Sequence, residues 1–188
     1  MVTTEGPPGK TRPGYDVWTS MENKIDSYRF LSRVTAKLVR SWIDREPRRE
    51  IPWTPPAKPL NESTVAMLSS AGLALANDRP FDQEGERRNP WWGDPSFRVI
   101  PRDASERDVR VYHLHVDNRH TEQDLNCSLP LTRLRELEDA GEVGRSAPSH
   151  FSMMGYLLDP TELLEKSTPE MIRRMRDEQV DVVLLAPY

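Results

Sequence analysis

Two short apolar runs limit the folds that are open to this chain. The first spans residues 64–68, and the small residues of "SSAG" follow it directly. The second spans residues 180–186, in "VDVVLLAP". Apolar runs of about four to eight residues are typical of strands in a parallel sheet that is covered on both faces. We therefore predict two buried strands, and we expect Leu184→Asp in the second to prevent folding.

The segments between these runs predict an α/β order of elements. Residues 110–116 have the composition of a strand, "LPLTRLRELEDAGEVG" predicts a short helix closed by Gly141, and "STPEMIRRMRDEQ" predicts another helix. Strands alternating with helices predict an α/β fold with a mostly parallel sheet flanked by helices. With 188 residues, the chain is long enough for a single compact domain with a buried core.

The N-terminal region predicts an arm followed by a long helix. Residues 1–18 are rich in Gly, Pro and Thr, so we expect a mobile arm that precedes a domain over residues 19–188. Apolar side chains then recur every three or four positions, which predicts a long N-terminal helix of about seven turns. These side chains are Ile25, Tyr28, Leu31, Val34, Leu38 and Trp42.

Charge and composition exclude several classes of function. The chain has 26 basic and 30 acidic residues without a basic block, so we expect no nucleic-acid partner. It has no apolar stretch of about 18 residues and no secretion signal, so we expect no membrane span. A single cysteine fits a cytoplasmic location. No glycine-rich phosphate fingerprint is present, so we expect no nucleotide cofactor.

One segment, "VYHLHVDNRHTEQDLNC", contains three of the four histidines. On a strand, His113 and His115 would project from the same face with their Cα atoms about 6–7 Å apart. That spacing suits two imidazole ligands of Zn²⁺ or Fe²⁺, with His120 and the distant His150 as further ligands. The alternative is a strand histidine that is bonded to the backbone, beside a loop that is polar for solubility.

The same segment offers candidates for proton transfer. Asp124, Glu122 and His120 place two acids beside a histidine, which is common equipment for acid/base chemistry. The alternative for Asp124 is a solvated side chain or an Asx turn. Cys127 is either a catalytic thiol or a small apolar side chain.

Two other segments offer candidates for substrate binding. Arg98 and Arg102, in "GDPSFRVIPRD", could hold a substrate carboxylate in bidentate fashion, or could form surface ion pairs. Ser69 and Ser70 follow the first apolar run, and they could form an anion-holding turn. Such a turn would lie at the carboxyl end of the sheet, where α/β proteins bind ligands.

Several pieces of the chain, taken together and in their order, carry a resemblance. They are "PWTPPAKPLNESTVAMLSSAGLAL", "RPFD", "GDPSFRVIPRD", "HLHVDNRHTEQDLNCSLPLTRLRELEDAGEVG", "HFSMMG" and "VDVVLLAP". Over roughly residues 50–187, the chain resembles the selenoprotein B family of glycine, sarcosine, betaine and D-proline reductases. The resemblance implies an α/β fold and the reductive cleavage of a C–N bond in a small amino-acid-like substrate.

The family places a selenocysteine or cysteine pair just past the strand that resembles "VDVVLLAP". The present sequence ends at Tyr188, and Cys127 is its one cysteine. Because thiol reduction needs a nucleophile and a resolving thiol, we expect metal-assisted or acid/base chemistry on a small polar metabolite instead. The alternatives are a non-catalytic partner subunit, and a reductase subunit that uses thiols of another chain. An open sheet edge further predicts a homo-oligomer or a partner protein.

Overall fold

The structure is a computed structural model that describes residues 32–44, 54–89 and 92–188. The chain divides into two compact units, Met1–Trp53 and Thr54–Tyr188. In the first unit the described residues form the helix α1 (Arg33–Ile43). Its residues fall within the stretch for which the sequence predicts a long helix, and that length stays a prediction. The earlier part of that helix and the expected arm lie outside the described residues.

Thr54–Tyr188 is built on a mostly parallel sheet, as the apolar runs predict. In chain order the strands are β1 (Thr64–Ser69), β2 (Leu73–Leu75), β3 (Phe97–Pro101), β4 (Val109–Val111), β5 (Arg145–Ser146), β6 (Ser149–Met153) and β7 (Val182–Ala186). β1 is central and runs parallel to β5, β6 and β7, whereas β3 runs antiparallel to β6. β2 and β4 form a separate antiparallel pair.

Helices flank this sheet, so the α/β prediction is confirmed. They are α2 (Gln83–Arg88), α3 (Arg119–Gln123), α4 (Leu131–Asp139) and α5 (Thr168–Asp177). α4 lies where the sequence predicts it and is followed by Gly141 at φ +71°, a conformation that glycine adopts without strain. In the parts of the chain that the structure describes, no helix is long and apolar enough to cross a membrane.

The core lies on both faces of the sheet. Val65 and Met67 of β1 pack in one cluster with residues of α4, and Ala66 packs in a second cluster with Met171 of α5. This alternation follows from the period of two in a strand. Coverage of both faces explains why the first run is apolar without alternation.

β7 forms where the sequence predicts a strand, but the prediction that it is buried is wrong. Val183, Leu184 and Leu185 are 38%, 49% and 67% exposed. Among the described residues β7 pairs with β1 alone, so it is an edge strand. A carboxylate at Leu184 would therefore stay in water, and the expectation that Leu184→Asp prevents folding is corrected.

We now expect Leu184→Asp to change the free energy of unfolding by less than about 1 kcal/mol, as surface substitutions commonly do. Met67 is the register partner of Leu184 on β1 and is fully buried, so Met67→Ala provides the control. That control should cost about 2–5 kcal/mol through the cavity it creates. Chemical denaturation of both variants measures the difference. Equal losses would show that Leu184 is buried in solution.

The strand predicted over residues 110–116 is shorter than expected. β4 ends at Val111, opposite Leu73, where β2 begins. Past this point, backbone groups form hydrogen bonds with nearby side chains and not with a neighbouring strand. Asn118 donates to the His113 carbonyl oxygen at 2.8 Å, and the His115 N–H donates to His113 Nδ1 at 3.2 Å. Such local bonds compete with a strand ladder, so both histidines lie on a loop and not on one strand.

Candidate active site

The carboxyl ends of three parallel strands meet at one edge of the sheet. β1, β6 and β7 end at Ser69, Met153 and Ala186, so the residues that follow them come together there. The Ser70 N–H donates to the Ala186 carbonyl at 3.2 Å, and the Tyr188 N–H donates to Ser70 Oγ at 2.9 Å. This edge is where ligands bind in open α/β sheets.

The loop after β4 brings His113 to the same edge. The Tyr112 N–H donates to the Gly72 carbonyl at 2.9 Å, which ties the start of the loop to the turn after β1. The His113 ring then lies edge-on to the Tyr188 ring, with centroids 5.9 Å apart. His113 is buried, and burial followed by the nearby His115 lowers its pKa, while Glu86 opposes this shift. It is therefore a neutral imidazole at neutral pH.

His115 pairs with Glu86 beside His113. Its Nε2 lies 2.6 Å from Glu86 Oε1, and the ring lies against Tyr156 with centroids 4.2 Å apart. Glu86 is on α2 and is 3% exposed, whereas the His115 side chain is 49% exposed. A buried carboxylate that bonds one nitrogen orients the imidazole, as in acid/base sites of enzymes.

The second carboxylate oxygen of Glu86 also indicates a functional site. Oε2 is buried and has no hydrogen-bond partner among the residues that the structure describes. A buried carboxylate that is not fully bonded is costly, so such groups are retained mostly where they serve a function. The side-chain partner of Glu86 is His115, through its other oxygen.

The four histidines are not gathered into one ligand set. His113 and His115 have ring centroids 6.0 Å apart, but His113 Nδ1 and His115 Nε2 already have partners. In residues 32–44, 54–89 and 92–188, no group of three His, Cys, Asp or Glu side chains could hold a metal ion. Binding of Zn²⁺ or Fe²⁺ stays a prediction, which calorimetric titration of metal-stripped protein would test.

His150, the expected distant ligand, lies inside the sheet. It is on β6 and fully buried; its Nδ1 accepts from the Met67 N–H at 3.0 Å, and its Nε2 lies 3.2 Å from Ser146 Oγ. Burial, and then the charge of Arg102, lowers the pKa of His150 to about 4. Both nitrogens are occupied by the fold, so His150 supports the sheet.

The expected proton-transfer residues lie on and just after α3. His120, Glu122 and Asp124 are all exposed. Asp124 Oδ1 accepts from both the backbone and the side chain of Asn126, and these bonds lower the pKa of Asp124. It caps the 3₁₀ turn that contains the exposed Cys127, which is the Asx alternative that the sequence left open.

The two arginines expected to hold a substrate are bonded to the protein itself. The Arg98 guanidinium donates to the carbonyls of Arg79, Pro80 and Phe97 and lies over the Phe81 ring. Arg102 donates to Glu138 at 2.8 Å. Their donors hold loops in place. Ser69 is fully buried and bonds the Ala71 N–H, so of the residues expected to bind substrate, Ser70 is the one that lies at the described site.

Sequence reasoning missed Glu86, Tyr156 and Tyr188. No spacing distinguishes Glu86 from Glu84, since both lie in the first turn of α2. The two tyrosines had a usable signal. Each follows a parallel strand, and the rule that singled out Ser70 applies to the end of every parallel strand.

Comparison with known proteins finds one similar reductase subunit. Over 133 residues, 71% of this chain, the sequence is 38% identical to the D-proline reductase subunit gamma of Acetoanaerobium sticklandii. The match covers 52% of that protein, so it spans about half of its length. This similarity supports a relation to the proline/glycine reductase family. No family model matches the chain, and no solved structure matches it.

Proposed function

We propose that this chain is part of a reductase that cleaves a C–N bond in a small amino-acid-like substrate, and that His115 transfers a proton in this reaction. The observation that carries the proposal is the bond between His115 and the buried carboxylate of Glu86. It lies by the carboxyl edge of a parallel sheet, on a chain related to a D-proline reductase subunit. The more specific assignment to selenoprotein B stays a prediction.

The chemistry of the reaction requires such a proton-transfer group. Reductive cleavage breaks the C–N bond with two electrons, and it adds one proton to carbon and one to nitrogen. A dithiol that is oxidised to a disulfide supplies two electrons and two protons. An amine is a poor leaving group unless it is protonated as the bond breaks, so a positioned imidazolium lowers the barrier. In the proposal, His115 donates this proton and Glu86 stabilises the charged ring.

The 188 residues contain one cysteine, so they cannot form a dithiol among themselves. The proposal therefore takes the thiols, or a selenol and a thiol, from outside these residues. This matches the alternative of a reductase subunit that works with another chain. The relative is itself named as a subunit.

The assay isolates the assembly that contains this chain. The chain is tagged, purified from its native host with the proteins that bind it, and supplied with dithiothreitol. We expect consumption of D-proline or of a related small amino acid, and we expect none from the isolated 188-residue chain. An assembly that consumes none of D-proline, glycine, sarcosine and betaine would contradict the proposal.

A second candidate function is that of a non-catalytic docking subunit. One observation favours it: the outer strand β7 exposes Val183, Leu184 and Leu185. An apolar edge strand is suited to pairing with another chain or with a second copy. The mass of the purified chain in solution, measured for the natural sequence and for Leu185→Lys, distinguishes a monomer from a homo-oligomer.

A further inference from the structure

His113 has no part in the proton transfer proposed above, yet it is the more enclosed of the two neighbouring histidines. It is 7% exposed, whereas the His115 side chain is 49% exposed. The His113 ring lies edge-on to the Tyr188 ring, and a Cβ built on Gly155 would lie 3.3 Å from its Nε2. Both of these neighbours follow parallel strands, so the His113 ring packs against the carboxyl edge of the sheet.

The backbone around His113 is held as well. Its carbonyl oxygen accepts from Asn118 Nδ2 at 2.8 Å. The carbonyl oxygen of the preceding residue, Tyr112, accepts from Gln83 Nε2 of α2 at 2.7 Å. Gln83 and Glu86 are three residues apart on α2, so they lie on the same face of that helix. The loop after β4 is therefore tied to the helix that carries Glu86 at a point just before His113.

His113 in turn holds the backbone of His115. Its Nδ1 accepts from the His115 N–H at 3.2 Å. A side-chain acceptor that bonds the N–H two residues later fixes the local backbone, as the side chain does in an Asx turn. Nδ1 can accept only while it carries no proton. Burial, followed by the nearby His115, lowers the pKa of His113 and keeps the ring in that form.

We propose that His113 is a positioning residue for His115. Through its Nδ1 it fixes the backbone from which the His115 ring reaches Glu86. A half-exposed side chain on a loop has rotamer freedom to lose before it can bond one carboxylate oxygen at 2.6 Å. A fixed backbone reduces that loss, as supporting contacts around a functional group commonly do. This inference rests on the proposed function, because it takes His115 as the group that acts.

The first test measures the place of the His115 ring and needs no turnover. The His115 and Tyr156 ring centroids are 4.2 Å apart, so nuclear Overhauser effects between the two rings in the full chain report this contact. His113→Leu removes the acceptor and should lose the contact. His113→Asn should keep it, because asparagine Oδ1 lies near the position of histidine Nδ1 and can accept the same N–H. The exposed His120 provides the control, His120→Leu, which should also keep it.

A further variant serves if His113→Leu fails to fold. Asn118→Ala releases the His113 carbonyl oxygen and leaves the His113 ring in place. It should weaken the contact between the His115 and Tyr156 rings. The proposal is overturned if the contact is equally strong in the natural chain and in every variant, or if His113→Asn loses it as fully as His113→Leu.

The second test is a double-mutant cycle in the assembly that contains the chain. His113→Leu should lower kcat about tenfold with little change in KM, the effect of losing one hydrogen bond. In the His115→Ala background the same change should have no further effect, because no imidazole is left to position. A residue needed for the fold alone would lower kcat by the same factor in both backgrounds, and that result overturns the proposal.

The two tests separate this inference from the proposed function. If the ring contact depends on His113 while kcat is indifferent to His115, positioning stands and proton transfer by His115 fails. If kcat depends on His115 while the ring contact is the same in every variant, the proposed function stands and the positioning role of His113 is overturned.

Discussion

Replacing His115 with alanine is expected to slow dithiol-dependent turnover of the assembly by about 10²-fold or more, the usual contribution of a positioned acid/base group. The reason is that the ring bonds Glu86 at 2.6 Å through one nitrogen, while its side chain is 49% exposed. No other histidine of the described chain has this arrangement. Turnover is measured as amine product formed per assembly under saturating dithiol.

Added imidazole should restore part of the activity of His115→Ala, because free imidazole can occupy the space beside Glu86 and Tyr156 and carry the proton. A histidine with a structural role alone would not respond in this way. His120→Ala is the matched control, since His120 is exposed on α3, and it should retain full activity. Full activity of His115→Ala, or a loss that imidazole leaves unchanged, would contradict proton transfer by His115.

Acid is expected to destabilise the protein through His150. The folded state holds this ring neutral, since its pKa falls from 6.5 to about 4 through burial and then through Arg102. The unfolded chain binds a proton below pH 6.5, whereas the folded chain does so near pH 4. The contribution of the neutral ring to the free energy of unfolding is therefore fully present above pH 6.5. It is lost as the pH falls toward 4. The loss amounts to about 3 kcal/mol.

The hydrogen bond of His150 also predicts that protonation lowers stability. Nδ1 accepts the Met67 N–H at 3.0 Å, so a proton on Nδ1 would face another donor. In His150→Asn the side-chain oxygen can still accept that N–H, but nothing titrates. The stability advantage of the natural protein over His150→Asn should shrink by about 3 kcal/mol between neutral pH and pH 4. Denaturation at several pH values measures this, with His120→Asn as the control. A constant difference would show that His150 is not buried neutral.

The parts of the fold that local sequence determines were predictable. β1, β7, the helix over Leu131–Asp139 and the turn at Gly141 all form where the pattern places them. Each depends on residues close in the chain, through apolar periodicity or the need for a positive φ. The exposure of β7 was not predictable, because it depends on which strands lie beside it.

The site was harder to predict because its parts come from distant segments. His113 and His115 were identified, but on a strand, since nothing in the sequence showed that Asn118 would bond the His113 carbonyl. His150 was expected at the site, yet the register of β6 places it opposite Ile100 in the core. Glu86 has no sequence signal at all, because its role depends on packing of α2 against the loop after β4.

The most direct measurement of the central claim uses the four histidines as internal probes. Imidazole resonances of the full chain are recorded by two-dimensional NMR as D-proline is added. The account predicts that the signals of His113 and His115 shift together and reach saturation. The signals of the exposed His120 and of the buried His150 should stay in place. A shift confined to His120, or no shift of any histidine at saturating D-proline, would contradict a substrate site at the carboxyl edge of the sheet.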